Sequence, residues 1–387
     1  MITRASVDAI SRLQSEDWPI ISLYLRLDKE RIDEDYTIRL KNVLRQAEEA
    51  IDDRFSHDQQ QALRSDLERI RVFFRDEGGN FGEGAALFAS SQAGIWNVQA
   101  VPNDVGTSVS IEFTTDVAPL IRALELMQPY CTCLIARDQA RIFYGSLDNI
   151  EELAQTRDET VPGQHEQGGW AQARYERHID EHVHRHFKRV ADDLFQLANE
   201  RPYRFLVLGG PDEVVSAFLD ELHPYVRERY VGAIRIAIEA NPNEVQRESL
   251  GVIQQWRQAE KDRVLEILHN EVGSNDLGAA GLQDTVEALR RGQILTLVAD
   301  NAFSAPGGVC SGCDLILTEQ EMTGGTCAFC GSAVHPYEDI VPRIVTRTFR
   351  QEGSIVYLEQ PERQRQANDF GHIGAILRFR VEPTAEA

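Results

Sequence analysis

The chain has 387 residues, 42% hydrophobic and 26% charged, with 62 Asp and Glu against 40 Lys and Arg for a formal net charge of −22. This length calls for two or three domains, and no apolar run has membrane-spanning length or follows Met1 as an export segment, so the expectation is a cytoplasmic protein without a membrane partner. The acidic balance argues against loose polyanion binding, yet screening confines exposed charges to about 10 Å, which leaves room for one local basic face.

In the first segment, 1–129, residues 20–27 alternate in part and predict a strand. Residues 36–51 and 59–74 carry helical apolar spacing, Gly78-Gly79 is a turn, and 85–89 and 94–98 read as strands. The segment is an α/β or α+β domain. In the second, 130–252, strands at 131–135 and 140–145 predict a hairpin, followed by a Gly/Gln-rich loop and a helix over 171–199. A strand at 205–208 ends in Gly209-Gly210-Pro211, which lacks phosphate-loop spacing and reads as a tight turn; a helix over 213–222 and a strand over 233–238 follow. The alternation predicts a mostly parallel sheet. In the third, 253–387, a helix spans 254–272. Asp284 starts another, with Glu287 three residues on as a capping-box partner and Gly292 as its stop. A buried strand covers 294–298, and a strand with an Arg face covers 376–381. The fold class is α/β multidomain, with three α/β domains.

Cys310-Ser-Gly-Cys313 and Cys327-Ala-Phe-Cys330 are two Cys-x-x-Cys turns separated by 13 residues. Each turn can set two thiolates on one ion, and the soft, closed four-sulfur set favours one structural Zn²⁺ with no open position for water. Cys131 and Cys133 share one face of a strand and read as core residues.

The loop Gly163-Gln164-His165-Glu166-Gln167-Gly168-Gly169-Trp170 enters a helix in which Tyr175, Ile179, Val183, Phe187, Val190, Leu194 and Ala198 form a core stripe. Off that stripe stand Arg174, Arg177, His178, His182, Arg185, Lys188 and Arg189. Residues 161–190 hold five Lys/Arg against four Asp/Glu, plus five His, in a chain of −22. Three readings compete: a solvated polar face, a metal site using His178, His182 and His186, or a prong that contacts RNA phosphates.

These motifs resemble the archaeal and eukaryotic class-1 peptide chain release factors and their Pelota cousins. The family's Gly-Lys-His-Gly-Arg-Gly-Gly-Gln-Ser-Ala loop stands in register with the segment from Gly163. Its four-cysteine zinc site matches the quartet, as a zinc ribbon inserted in the third domain. Its closing Phe-Gly-Gly-Ile-Gly-Gly-Ile-Leu-Arg-Tyr strand matches Phe370-Gly371-His372-Ile373-Gly374-Ala375-Ile376-Leu377-Arg378-Phe379, and Asp284 to Val298 matches an Asp-Thr-Leu-x-Ala-Leu helix and strand. Trp170 replaces the glutamine that organises water attack on peptidyl-tRNA, while Gln172 forms a Gly-x-x-Gln resembling that of rescue-type peptidyl-tRNA hydrolases. The Asn-Ile-Lys-Ser and Tyr-x-Cys-x-x-x-Phe decoding elements are missing.

The resemblance, which extends to bacterial members including hibernation factors, implies a protein that occupies the ribosomal A site and peptidyl-transferase centre without stop-codon decoding. Gly168, Gly169, Trp170 and the basic helix residues would face rRNA and possible P-site tRNA, and a translational GTPase of the elongation-factor type would be a partner. The alternatives are a hydrolase using Gln172 and a scaffold without ribosome contact.

Overall fold

The computed structural model describes residues 2–27, 36–102, 105–147, 149–157, 170–274, 276–359, 363 and 366–380, with backbone alone at 79, 157, 170–180 and 323. The chain divides into two compact units, one formed by Met1–Glu125 with Arg263–Ala387 and the other by Leu126–Asp262.

The first unit begins with α1 (Arg4–Ser11), started by a reciprocal cap in which Ser6 N donates to Thr3 Oγ1 (3.1 Å) and Thr3 N to Ser6 Oγ (3.0 Å). Strand β1 (Ile20–Arg26) precedes helices α2 (Tyr36–Glu49) and α3 (His57–Glu77). Strands β2 (Gly84–Ser90), β3 (Ile95–Val101) and β4 (Ser108–Glu112) complete an antiparallel sheet of order β3-β2-β1-β4, and α4 (Ala118–Leu126) follows. Ile21, Leu23 and Leu25 point into a core shared with Leu40, Leu44, Leu63, Leu67 and Phe74 of the two helices. The opposite face is buried as well: Tyr24 and Phe88 meet edge-to-face at 6.0 Å, and the Tyr24 hydroxyl donates to Asp116 O at 2.7 Å. Helices α1 and α4 and strand β4 are not among the elements the apolar spacing predicts.

The second unit holds β5 (Tyr130–Ile135), β6 (Gln139–Gly145), β7 (Ile150–Arg157), α5 (Trp170–Glu200), β8 (Phe205–Gly209), α6 (Asp212–Glu221), α7 (Pro224–Arg227), β9 (Tyr230–Ile234) and the start of α8 (Pro242–Gly273). Its sheet, β7-β6-β5-β8-β9, is parallel only across β5, β8 and β9; β6 and β7 run antiparallel, so the expectation of a mostly parallel sheet is corrected to a mixed one. Short connections fold β6 and β7 back as a meander, whereas α5 and the α6–α7 pair supply the crossovers that parallel pairing requires. Alternation decides the layers. Cys131, Cys133, Leu206 and Leu208 face α5 and α6, while Tyr130, Leu134, Phe205 and Val207 face Val245 and Ile253 of α8. Both cysteines are core residues whose thiol pKa is pushed up by burial.

The C-terminal part of the first unit comprises β10 (Gly278–Ala280), α9 (Gly281–Arg290), β11 (Ile294–Asp300), β12 (Gly307–Cys310), β13 (Ile316–Thr318), β14 (Met322–Thr323), β15 (Thr326–Cys327), β16 (Val334–Tyr337), α10 (Val341–Arg350), β17 (Ser354–Leu358) and β18 (Ile373–Leu377). Its main sheet is β10-β18-β11-β17. Helix α8 begins at Pro242, well before the expected 254. Helix α9 begins at Gly281, so Asp284 lies in its first turn and is no N-cap; Gly292 at φ +68° does end it. The last strand is Ile373–Leu377, which leaves Arg378 and Arg380 beyond it instead of on a strand face.

Within this unit α10 joins the two chain segments. Arg343 donates to Thr114 Oγ1 and to Thr115 O (3.4 Å), Arg350 Nε to Ser11 Oγ (3.1 Å), and Arg4 to Phe349 O (3.1 Å). The His335 ring lies 5.3 Å from that of Phe113. Glu112 sits at this seam, its pKa raised from 4.5 to about 7 by burial, with Arg343 and Arg54 pulling the other way and Asp116 and Glu338 adding to the rise. A carboxyl with a raised folded-state pKa contributes fully below 4.5, and that contribution fades as pH rises through about 7. Thermal unfolding should therefore show Glu112→Gln gaining on the wild type across that window, and parallel pH profiles would refute it.

Candidate metal centre and basic helix

The four cysteine sulfurs lie within 4.8 Å of one another, with Cys310 Sγ to Cys330 Sγ at 3.3 Å and Cys313 Sγ to Cys327 Sγ at 3.8 Å. Sulfurs bound at 2.3 Å to one tetrahedral ion would be about 3.8 Å apart, so this set could hold a metal ion. The two turns repeat one geometry. Asp314 N donates to Cys310 O (3.0 Å) and Gly331 N to Cys327 O (2.9 Å); Cys310 N donates to Leu315 O (3.0 Å) and Cys327 N to Ser332 O (2.9 Å). The residue after each second cysteine is left-handed, Asp314 at φ +54° and Gly331 at φ +75°. That conformation reverses the chain behind the sulfurs, and Gly and Asp are residue types that tolerate it.

Backbone amides point at the sulfurs, as a thiolate requires: Gly312 N and Cys313 N to Cys310 Sγ and Phe329 N to Cys327 Sγ, all at 3.4 Å. Hydrogen bonds from Ser332 lower the Cys330 thiol to about 6, whereas desolvation pushes Cys313 up to about 12. Gly312 leaves room for Ser332, since a Cβ there would stand 2.2 Å from its Oγ.

Strands β12, β13 and β16 form a three-stranded sheet beside the β14–β15 hairpin, so the quartet sits in a ribbon inserted between β11 and α10. A network that sequence reading missed fixes it to α9. Arg290 Nε donates to Ile316 O (2.9 Å) and its guanidinium pairs with Glu321, while Gln283 Nε2 reaches Glu321 Oε1 (3.0 Å) and Thr318 Oγ1 donates to Gln283 Oε1 (2.7 Å). Burial alone would raise the Glu321 pKa, but hydrogen bonds led by Arg290 hold it at about 2. Arg290 also lies 4.9 Å over the ring of Phe329, between the second pair of cysteines. The sequence signal was faint, an Arg in the last turn of a helix and a Glu three residues after Thr318, and only folding brings them together.

Gly168 and Gly169 lie outside the described residues. Trp170, Gln172, Arg174, Arg177 and His178 are placed as backbone positions in the first turns of α5, with Trp170 as its first residue. From residue 181 onward side chains are described, and they sort by face. Val183, Phe187, Val190, Leu194 and Ala198 pack in the core, Phe187 edge-on to Phe218 of α6 at 5.5 Å. Arg185, Lys188 and Arg189 are exposed and His182 is half-buried. Arg185 stands 4.0 Å from Glu181, and His184 pairs with Glu221 at 3.0 Å.

His186 is buried, so the row His178, His182, His186 does not share one solvent face. Among the described residues the cysteine quartet is the only group with metal-ligand spacing. The Gly209-Gly210-Pro211 turn also resolves as steric: Gly210 is at φ +148°, and a Cβ there would be 2.3 Å from Ile135 O. Asp212 and Glu213 fill the following helix start, where an anion would otherwise sit. No described helix is long and apolar enough to cross a membrane.

Comparison with known proteins agrees with the motif reading. A family model described as bacterial archaeo-eukaryotic release factor family 10 matches residues 116–254. Peptide chain release factor subunit 1 of Pyrococcus abyssi is 24% identical over 288 residues, 68% of this chain and 69% of that protein. The Methanobrevibacter smithii protein of the same name is 24% identical over 290 residues, 68% of each. Among solved structures, Archaeoglobus fulgidus Pelota covers 78% of this chain and 80% of its own at 17% identity and a TM-score of 0.35.

Proposed function

We propose, starting from a chain that resembles the release-factor and Pelota superfamily through a bacterial family of its central region, that this protein is a cytoplasmic ribosome-binding translation factor. It occupies the A site and peptidyl-transferase centre without stop-codon decoding, as a hibernation or stress factor. The observation that carries this reading is Trp170. By the resemblance it stands where release factors place their glutamine, at the first residue of a 31-residue helix that, from residue 181 on, keeps Arg185, Lys188 and Arg189 exposed in a chain of −22. By the resemblance, Gly168, Gly169 and Trp170 would meet the peptidyl-transferase centre, and Arg174, Arg177, His178, His182, Arg185, Lys188 and Arg189 would contact rRNA and P-site tRNA, where cations neutralise phosphates. The ribbon holds one structural zinc ion through Cys310, Cys313, Cys327 and Cys330, and a translational GTPase of the elongation-factor type is the delivering partner.

A second reading is favoured by Gln172, which lies in the first turn of α5, where backbone N–H groups lack intrahelical partners and can stabilise developing charge. There the protein would be a rescue-type peptidyl-tRNA hydrolase with Gln172 positioning the water. Purified protein added to stalled ribosome–nascent-chain complexes separates the two. The expected result is stable co-sedimentation with peptide release no faster than background. Release that Gln172→Ala abolishes would replace the first reading with the second, and no co-sedimentation during growth or starvation would remove both, leaving a scaffold.

A further inference from the structure

Away from α5, four guanidiniums from distant parts of the sequence share one surface. Arg4 and Arg12 stand at the two ends of α1, and Arg347 and Arg350 in the last turn of α10. Arg350 Nε donates to Ser11 Oγ (3.1 Å), which brings α10 against the end of α1. Two carboxylates answer them. Asp8 takes both Nε (3.0 Å) and Nη2 (3.1 Å) of Arg12, and Asp314 pairs with Arg347, so the patch carries four positive charges against two negative.

The surplus is felt locally. The Arg350 pKa is lowered by burial first and then by the charges of Arg347 and Arg12, and Asp8 is held below the usual carboxylate range chiefly by Arg12, with Arg350 and Arg4 adding to it. Helix dipoles account for part of this, because Arg347, Arg350 and Arg12 stand at helix C-termini. They do not account for Arg4, at the end of α1 where the dipole opposes a cation. An acidic protein that gathers like charges from two segments, and holds them with a fixed ion pair at each side, has built a site for an external anion. Arg12 is 65% exposed and Arg347 31%, so the patch opens to a partner chiefly through Arg12.

We infer that the α1–α10 arginine patch is a second nucleic-acid contact surface, one that grips an RNA phosphate backbone with Arg12, Arg347, Arg350 and Arg4. RNA is the occupant because the patch offers forked guanidinium donors, which suit phosphate oxygens read without base specificity. This rests on the ribosome-binding reading for its biological partner, though not for its chemistry.

The test measures binding of the full chain to purified bacterial ribosomes and to a labelled RNA hairpin across a salt series. Arg12→Gln and Arg350→Gln should each weaken binding and reduce the slope of log K against log salt by about 1 for each phosphate no longer neutralised. Arg12→Lys should retain most of it. Arg227→Gln, an exposed arginine of the other unit, should change neither, and thermal unfolding midpoints confirm that each variant is folded. Unchanged affinity and slope in both patch variants would overturn the inference, as would an equal loss in Arg227→Gln. Displacement by polyglutamate as effective as by RNA would assign the patch to an acidic protein and overturn it too. If the hairpin binds through the patch but ribosomes do not bind, the proposed function fails and the patch stands. Ribosome binding that ignores the patch gives the reverse.

Discussion

Purified under reducing conditions, the protein should carry one zinc ion per chain, and Cys310→Ser should lose it. The geometry sets the size of the effect. Four sulfurs within 4.8 Å form no covalent bond to one another, and with Cys310 and Cys327 buried, thiolate charge there needs an ion to balance it. Structural zinc in small ribbons contributes about 10–16 kcal/mol of apparent binding free energy, and much of it is folding free energy. Hydrogen exchange should show chelation removing protection across residues 307–337 while β5 and β8 keep theirs. Loss should also spread to residues 112–116, because β16 begins four residues after Cys330 and carries His335 against Phe113. A metal-free, reduced protein with the ribbon still protected would end the idea.

The second large effect is expected at Gly210. Gly210→Ala should destabilise the central unit by about 2–6 kcal/mol, the sum of strain at a glycine-only backbone angle and overpacking against a neighbour. At φ +148° the new methyl would meet Ile135 O at 2.3 Å, a backbone atom of the adjacent strand that cannot turn aside. Gly251 supplies the internal comparison. It lies within α8 with nothing inside 4 Å of its missing Cβ, so Gly251→Ala should stabilise by about 0.5–1 kcal/mol. Denaturant midpoints reported by exchange at β8 would check both, and shifts of the same sign would refute the steric account.

Legibility in the sequence followed burial. Strands whose two faces are both covered, such as Phe205–Gly209 and Gly84–Ser90, stood out as apolar runs between turns. Strand β7 (Ile-Glu-Glu-Leu-Ala-Gln-Thr-Arg) did not, because it is a sheet edge and its charged residues discourage further pairing. Four thiols in two short turns announce a common ion at any distance along the chain. Arg290 and Glu321 announce nothing, since an ion pair between residues 31 apart depends on the fold that unites them. His186 was legible as a core residue: it follows Val183 by three and precedes Val190 by four, which places it on the buried stripe beside Phe187. The loop before α5 was recognisable by motif alone, and its contribution to the candidate site rests on sequence.

The discontinuous unit also orders events during synthesis. Leu126–Asp262 is an uninterrupted stretch and can complete its three-layer core as soon as it leaves the translating ribosome. The partnership of Arg4 with Phe349 closes across 345 residues, so the first helix must wait for nearly all of this sequence before it finds its neighbour. The arginines of α1 and α10 therefore come together only on a chain that has been read through residue 350, and a product truncated before α10 would lack that surface.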